Sequence, residues 1–124
     1  EKINILYVDD EPTNLKAFKA AFRRVFNIHT ATSADEGYEI LKKYPVEIII
    51  ADQRMPGKTG VDFFESILDT YPYPIRILLT AYSDINAVID AINKGQVYRY
   101  VTKPWNDLDL KLTIENAYQL YLLK

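Results

Sequence analysis

Five side chains in this sequence could do chemistry together if the fold brought them together: the carboxylates of Asp9, Asp10 and Asp52, the hydroxyl of Thr80 and the ammonium of Lys103. Three carboxylates in one crevice repel each other unless a positive charge sits among them. All-oxygen ligation with room for water is what Mg2+ accepts. A carboxylate beside a divalent cation can also attack phosphorus and become an aspartyl phosphate. The phosphoryl oxygens then need donors that balance their charge, and the metal, a hydroxyl such as Thr80 and an ammonium such as Lys103 are the right types. The chemistry these residues predict is phosphoryl transfer to Asp52.

The five are scattered along the chain, so secondary structure must position them. The organising stretch is residues 46–52, Val-Glu-Ile-Ile-Ile-Ala-Asp, followed by Gln53-Arg54-Met55-Pro56-Gly57. An apolar β-branched run this short, closed by Pro and Gly, predicts a strand buried on both faces. Such a strand needs helices on either side, and open α/β sheets bind ligands just beyond the carboxyl ends of their strands. Residues 3–8 predict a first strand that delivers Asp9 and Asp10. Pro12 opens helix 1, with an apolar stripe of Leu15, Phe18, Ala21, Phe22 and Val25. Residues 27–32 form a weaker, more polar strand nearer an edge. Ser33 and Glu36 predict a capping box for helix 2, which buries Ala34, Tyr38 and Leu41 and stops before Pro45.

Beyond the central strand, Val61, Phe64, Ile67 and Leu68 mark helix 3, ending near Tyr71-Pro72-Tyr73-Pro74. Residues 75–80 predict a fourth strand delivering Thr80. Ser83 or Asp84 caps helix 4, whose apolar side is Ile85, Val88, Ile89 and Ile92, with Gly95 as its C-cap. Residues 97–102 predict a fifth strand delivering Lys103, and Asn106 or Asp107 caps a last helix reaching about Leu123. Strands alternating with helices predict an α/β domain over 1–124: one five-stranded parallel sheet with five helices on both faces, flavodoxin-like and doubly wound. In the common order 2-1-3-4-5, strands 1 and 3 are neighbours and the three carboxylates converge.

Composition narrows the partners. A formal net charge of −2 leaves no positive field to draw nucleic acid, so direct nucleic-acid binding is not expected. The absence of cysteine excludes disulfides and thiolate metal sites. Apolar runs fall far short of the ~20 residues of a membrane span, and the opening run, broken by Asn4, is no signal peptide. Glu1 in place of Met reads as a processed chain or an excised fragment. His29, the one histidine, falls on the polar second strand and reads as a surface residue. The last helix carries Leu108, Leu110, Leu112, Ile114, Leu120, Tyr121, Leu122 and Leu123 around more than one face, a surplus that fits a dimer contact or a continuing helix as well as a frayed end.

The residues Tyr7-Val8-Asp9-Asp10-Glu11, Asp52 with Met55-Pro56 and Gly60, Leu79-Thr80-Ala81 and Tyr100-Val101-Thr102-Lys103-Pro104 make the sequence resemble a response-regulator receiver domain of two-component signalling, over essentially its whole length. Receivers are themselves an example of the 2-1-3-4-5 order, so order and resemblance are one expectation. The resemblance implies that Asp52 accepts phosphate from a phosphohistidine on a sensor histidine kinase or phosphotransfer protein, or from a small phosphodonor. It implies Mg2+ ligation by Asp10, Asp52 and the backbone carbonyl of Arg54, with Asp9 holding metal-bound water, and phosphoryl binding by Thr80 and Lys103. Thr80 and Tyr100 would form the switch pair that repacks a surface of helix 4, strand 5 and helix 5, able to dimerise or drive an output domain. It further implies a cytoplasmic location and a cis bond between Lys103 and Pro104. Lys58 and Thr59 depart from the Met and Asp common in receivers. Arg54 and Tyr82, where receivers vary, are bulky enough to hinder water and predict slow loss of the phosphoryl group. A haloacid-dehalogenase-like phosphatase would need an acidic residue at Arg54, and a flavodoxin would need a glycine- and hydroxyl-rich loop where Asp9-Asp10-Glu11 stands. The runs at 52–57 and 97–105 resemble receivers joined to cyclic-di-GMP phosphodiesterase or transcription-activating domains.

Overall fold

A computed structural model describes residues 2–124. The strands are β1 (Ile3–Val8), β2 (Phe26–Ala31), β3 (Ile48–Asp52), β4 (Ile75–Thr80) and β5 (Arg99–Thr102). The helices are α1 (Pro12–Phe22), α2 (Ala34–Lys43), α3 (Gly60–Ile67), α4 (Ile85–Asn93) and α5 (Asp107–Leu122), with a 3-10 turn at Tyr82–Asp84 ahead of α4. All strand pairs are parallel, in the order β2-β1-β3-β4-β5. The fold is the expected one.

Alternation along each strand builds two cores. Leu6, Val8, Ile49, Ala51 and Leu78 pack on α2, α3 and α4, while Ile5, Tyr7, Ile48, Ile50, Ile77 and Leu79 pack on α1 and α5. Every position of β3 is buried, which only a central strand between two helix layers allows. Burying each such isoleucine contributes roughly 1.5–3 kcal/mol.

Several boundaries differ from those expected. The second strand starts at Phe26, one residue early, because Phe26 closes the α1 core beside Phe22, with ring centroids 5.7 Å apart. Helix α1 ends at Phe22, so Val25 leaves the stripe and is exposed, as is Ala21. Glu36 completes only half of the expected capping box. Its backbone N–H donates to Ser33 Oγ, but its carboxylate accepts from Thr32 N–H and Oγ. Helix α3 stops at Ile67, and its buried face is Gly60, Phe63, Phe64 and Ile67 rather than one led by Val61. The glycine hid that i, i+3, i+4, i+7 spacing. Thr59 and Asp62 form a full capping box there. In α4, Val88 and Ala91 are buried and Ile89 is exposed. β3 and β5 begin two residues later than expected, although Val46 and Val97 are buried just ahead of them. Gly95 ends α4 at φ +76 with its N–H on Ile92 O, as expected. Asn106 caps α5 by accepting from Asp109 N–H.

Candidate functional site

Strand register fixes which side chains meet. The last paired residues of β1 and β3 are Val8 and Ala51, so Asp9 and Asp52 leave adjacent strands at one level. Asp52 pairs with Leu79 and Thr80 with Thr102, bringing Thr80 and Lys103 to the same edge. One oxygen from each of Asp9, Asp10 and Asp52 lies within 4.8 Å of the others. Lys103 Nζ lies 2.6 Å from Asp52 Oδ1. The predicted carboxylates and ammonium do converge.

Asp9 is fully buried, and both its oxygens are engaged. Oδ2 accepts from Tyr7 Oη at 2.7 Å and Asn14 Nδ2 at 3.1 Å, and Oδ1 accepts from Glu11 N–H at 2.9 Å. Burial first, and then its bond to Asp9, push the Tyr7 phenol far above its ordinary range, so it remains a proton donor. Asp52 is also buried, and its Oδ1 faces the Lys103 ammonium at 2.6 Å. Burial raises the Asp52 carboxyl above the usual carboxylate range, Lys103 opposes that rise, and Asp9 and Asp10 add to it. For Lys103 burial favours the neutral amine, but Asp52, with Asp9 and Glu11 behind it, outweighs burial and holds the ammonium above its ordinary value.

Three carboxylates gathered in one crevice, with a single ammonium on Asp52 to balance them, fit a hard divalent cation, which takes oxygen ligands and keeps several waters. The triangle supplies the oxygens, and the half-exposed Asp10 leaves the water side open.

The loop after β3 is tied to β4 and to the start of α3. Gln53 N–H donates to Leu79 O, Gly60 N–H to Gln53 O, and Val61 N–H to Gln53 Oε1. A Cβ on Gly60 would sit 2.7 Å from the Asp52 carbonyl oxygen and 2.6 Å from Leu78 Cδ1. Only glycine lets α3 start that close. The peptide bond between Lys103 and Pro104 is cis.

The other expected residues are placed as follows. The Thr80 side chain is buried, with its hydroxyl 3.3 Å from the Ala81 carbonyl oxygen. Tyr100 pairs with Leu78, two residues before Thr80, and is half-buried in the α2/α3/α4 core. Tyr82 is 81% exposed. Arg54 is engaged elsewhere: its Nε and Nη2 hold Asp84 Oδ2 and Oδ1 at 2.7 and 2.8 Å. Asp84 occupies the N-cap position of α4, yet it makes no side-chain cap bond because Arg54 takes both oxygens. This pair, 30 residues apart, has no local sequence signal. Tyr7 had one: alternation puts residues 7 and 9 on the same side of β1.

Trp105 belongs to the α1/α5 core, edge-on to Tyr7 and Phe18. His29 stacks on Tyr44 with ring centroids 4.4 Å apart. No helix among the described residues is long and apolar enough to cross a membrane.

Residues 5–115 match the family described as response regulator receiver domain. The hydrogenase transcriptional regulatory protein HoxA of Cupriavidus necator is 35% identical over 117 residues, which is 94% of this chain and 24% of HoxA. A response regulator receiver domain protein from Clostridium thermocellum superposes with a TM-score of 0.91 at 31% identity, covering 98% of each chain. The signal receiver domain of an HD domain-containing protein from Pseudomonas fluorescens Pf-5 superposes with a TM-score of 0.92 at 29% identity over 100% of each. The chain spans about a quarter of the length of the curated relatives it matches.

Proposed function

The chain belongs to the response regulator receiver domains of two-component systems, and from that membership we propose that Asp52 is its phosphoacceptor. The observation that carries this reading is the buried Asp52 carboxylate, with one oxygen each of Asp9, Asp10 and Asp52 within 4.8 Å of one another and Lys103 at 2.6 Å. An Asp52 oxygen forms a bond to phosphorus as the donor's N–P bond breaks in a phosphohistidine, or its O–P bond breaks in a small acyl phosphate. Asp10, Asp52 and the Arg54 backbone carbonyl would hold Mg2+, with Asp9 acting from one layer behind. Mg2+ when bound supplies charge neutralisation of the transferring phosphoryl group. Lys103 stays protonated beside Asp52 and turns its ammonium to a phosphoryl oxygen.

Thr80 contributes a hydroxyl that leaves the Ala81 carbonyl for the phosphoryl group, and Tyr100 turns inward on the same sheet face. The surface of α4, β5 and α5 then repacks, a two-state element biased by a local change of charge. Exposed Leu108, Leu112 and Leu122 on α5 and Ile89 on α4 suit that surface to a homodimer or an output domain. The protein is a phosphorylation switch rather than an enzyme acting on a separate substrate, although it assists its own phosphorylation. A sensor histidine kinase or phosphotransfer protein in the cytoplasm is its phosphodonor. HoxA is named as a transcriptional regulatory protein, which favours a transcriptional output for the chain to which this domain belongs.

Intact mass after incubation with Mg2+ and acetyl phosphate tests the assignment. One added phosphoryl group is expected, absent without Mg2+ and absent in Asp52→Asn. No added mass, together with no binding of beryllofluoride, overturns it.

A further inference from the structure

Asp9 is the most enclosed carboxylate of the acidic triangle, and a carboxylate offers about four acceptor sites. Three of them are filled by Tyr7, Asn14 and the Glu11 amide. One direction therefore remains for anything bound in the crevice. Two of the three donors hold the same oxygen, Oδ2, and the shorter bond is the one from Tyr7.

Tyr7 is built to hold that direction. It is fully buried on β1, two residues before Asp9 and on the same side of the strand. Its ring is packed edge-on by Phe18 at 4.9 Å and Trp105 at 6.2 Å, which stops the phenol swinging away. Its hydroxyl must find a partner where it is buried, and among the described residues that partner is Asp9. An aliphatic side chain would fill the same volume without donating.

We propose that Tyr7 is a positioning residue for the metal site: its hydroxyl fixes the Asp9 carboxylate in the one orientation that serves a cation between Asp10 and Asp52. The proposal rests on the Mg2+ reading given above. Partners of this kind behind a metal-facing group typically change metal affinity by 10- to 100-fold when removed.

The test is Mg2+ titration of the whole chain, followed by calorimetry and by the fluorescence of Trp105, the sole tryptophan. Wild type, Tyr7→Phe, Asp9→Asn and the double variant form one cycle. Tyr7→Phe is expected to weaken Mg2+ binding by about tenfold in the wild-type background and to have no further effect in Asp9→Asn. Asn14→Ala removes the other donor to Oδ2 from the half-exposed side of the site and is expected to weaken binding in the same direction. Binding by Tyr7→Phe within about twofold of wild type, or an equal loss in both backgrounds, overturns the proposal. Unchanged binding by Asn14→Ala also overturns it, because holding Oδ2 would then be irrelevant. Absence of Mg2+ binding by wild type overturns the metal reading as well, which distinguishes the two failures.

Discussion

Replacing Asp10 with Asn should stabilise the protein in the absence of divalent cations and remove most of the stabilisation that Mg2+ gives. The oxygens of Asp9, Asp10 and Asp52 lie within 4.8 Å of one another. At an effective dielectric of about 20, one pair of unit charges at that separation repels by about 3.5 kcal/mol; at the dielectric of water the figure is about 0.9 kcal/mol. Asp10 is half-exposed, so its two repulsions fall between those limits, and its attraction to Lys103 is lost with them. A net gain of about 1–2 kcal/mol remains, which for a domain of this size is a rise in Tm of roughly 3–10 °C.

Mg2+ reverses the ranking. At about 100 times its Kd, a ligand that binds only the folded state adds ≈ 2.7 kcal/mol to wild type, while the variant has lost a ligand and gains little. The pH dependence has a definite sign. The folded-state pKa of Asp52 is raised, so its contribution favours folding at pH below its unfolded value and is lost as pH rises through the folded value. The stability gap between Asp10→Asn and wild type should therefore widen as pH rises through the raised Asp52 pKa and close in acid, and salt should narrow it. Thermal melts in EDTA and in saturating Mg2+ across that pH range read all of this. A variant no more stable than wild type in EDTA, or equal Mg2+ stabilisation of both, would refute the reasoning.

Gly60→Ala forces a Cβ against the Asp52 carbonyl, which should cost about 1–3 kcal/mol and slow phosphorylation. Gly57→Ala, in open space at φ +80, should lower only the melting temperature. Arg54→Ala combined with Tyr82→Ala should speed spontaneous dephosphorylation severalfold. A dephosphorylation rate that stays at the wild-type value in the double variant would count against any shielding by these side chains.

The meeting of Asp9, Asp10, Asp52, Thr80 and Lys103 at one edge was legible in sequence because each lies at the end of a predicted strand, and parallel strands stack those ends together. The sheet was legible for the same reason: the 48–50 isoleucines admit no exposed face. What escaped were relations between elements distant in sequence. Asp84 reads locally as a helix cap, and only the fold shows Arg54 taking its oxygens from another loop. Phe63 was missed because Gly60, which starts its buried face, and Gly37, which leaves the space it fills, carry no apolar signal; a Cβ at Gly37 would lie 3.0 Å from Phe63 Cζ. Tyr7 reads as one more core residue, since its hydroxyl matters only where Asp9 is buried beside it. The loss of Val25 from helix 1 reflects where the chain turns into β2, a boundary set by pairing with β1.

In the proposed switch, the side-chain ties at the two ends of α4 would decide how that helix responds. Its middle buries only Val88 and Ala91, whereas α1 buries Leu15, Phe18 and Phe22, and α5 buries Leu110, Thr113, Ile114 and Ala117. Helix α4 is secured instead at its ends. Arg54 holds Asp84 ahead of its first turn, and the buried Arg76 guanidinium donates to the carbonyls of Gly95 and Gln96 just after its last. The C-terminal tie comes from a buried side chain and is made to backbone, so it persists when charges at the acidic edge change. The N-terminal tie runs from the loop that carries the acceptor to an exposed turn, and it competes with helix capping for the same carboxylate. A segment with few buried apolar contacts opens at low cost, so a change of charge at Asp52 acts on the weaker of two tethers. Movement of α4 should accordingly pivot about its Gly95 end, with the largest displacement at Ser83 and Asp84.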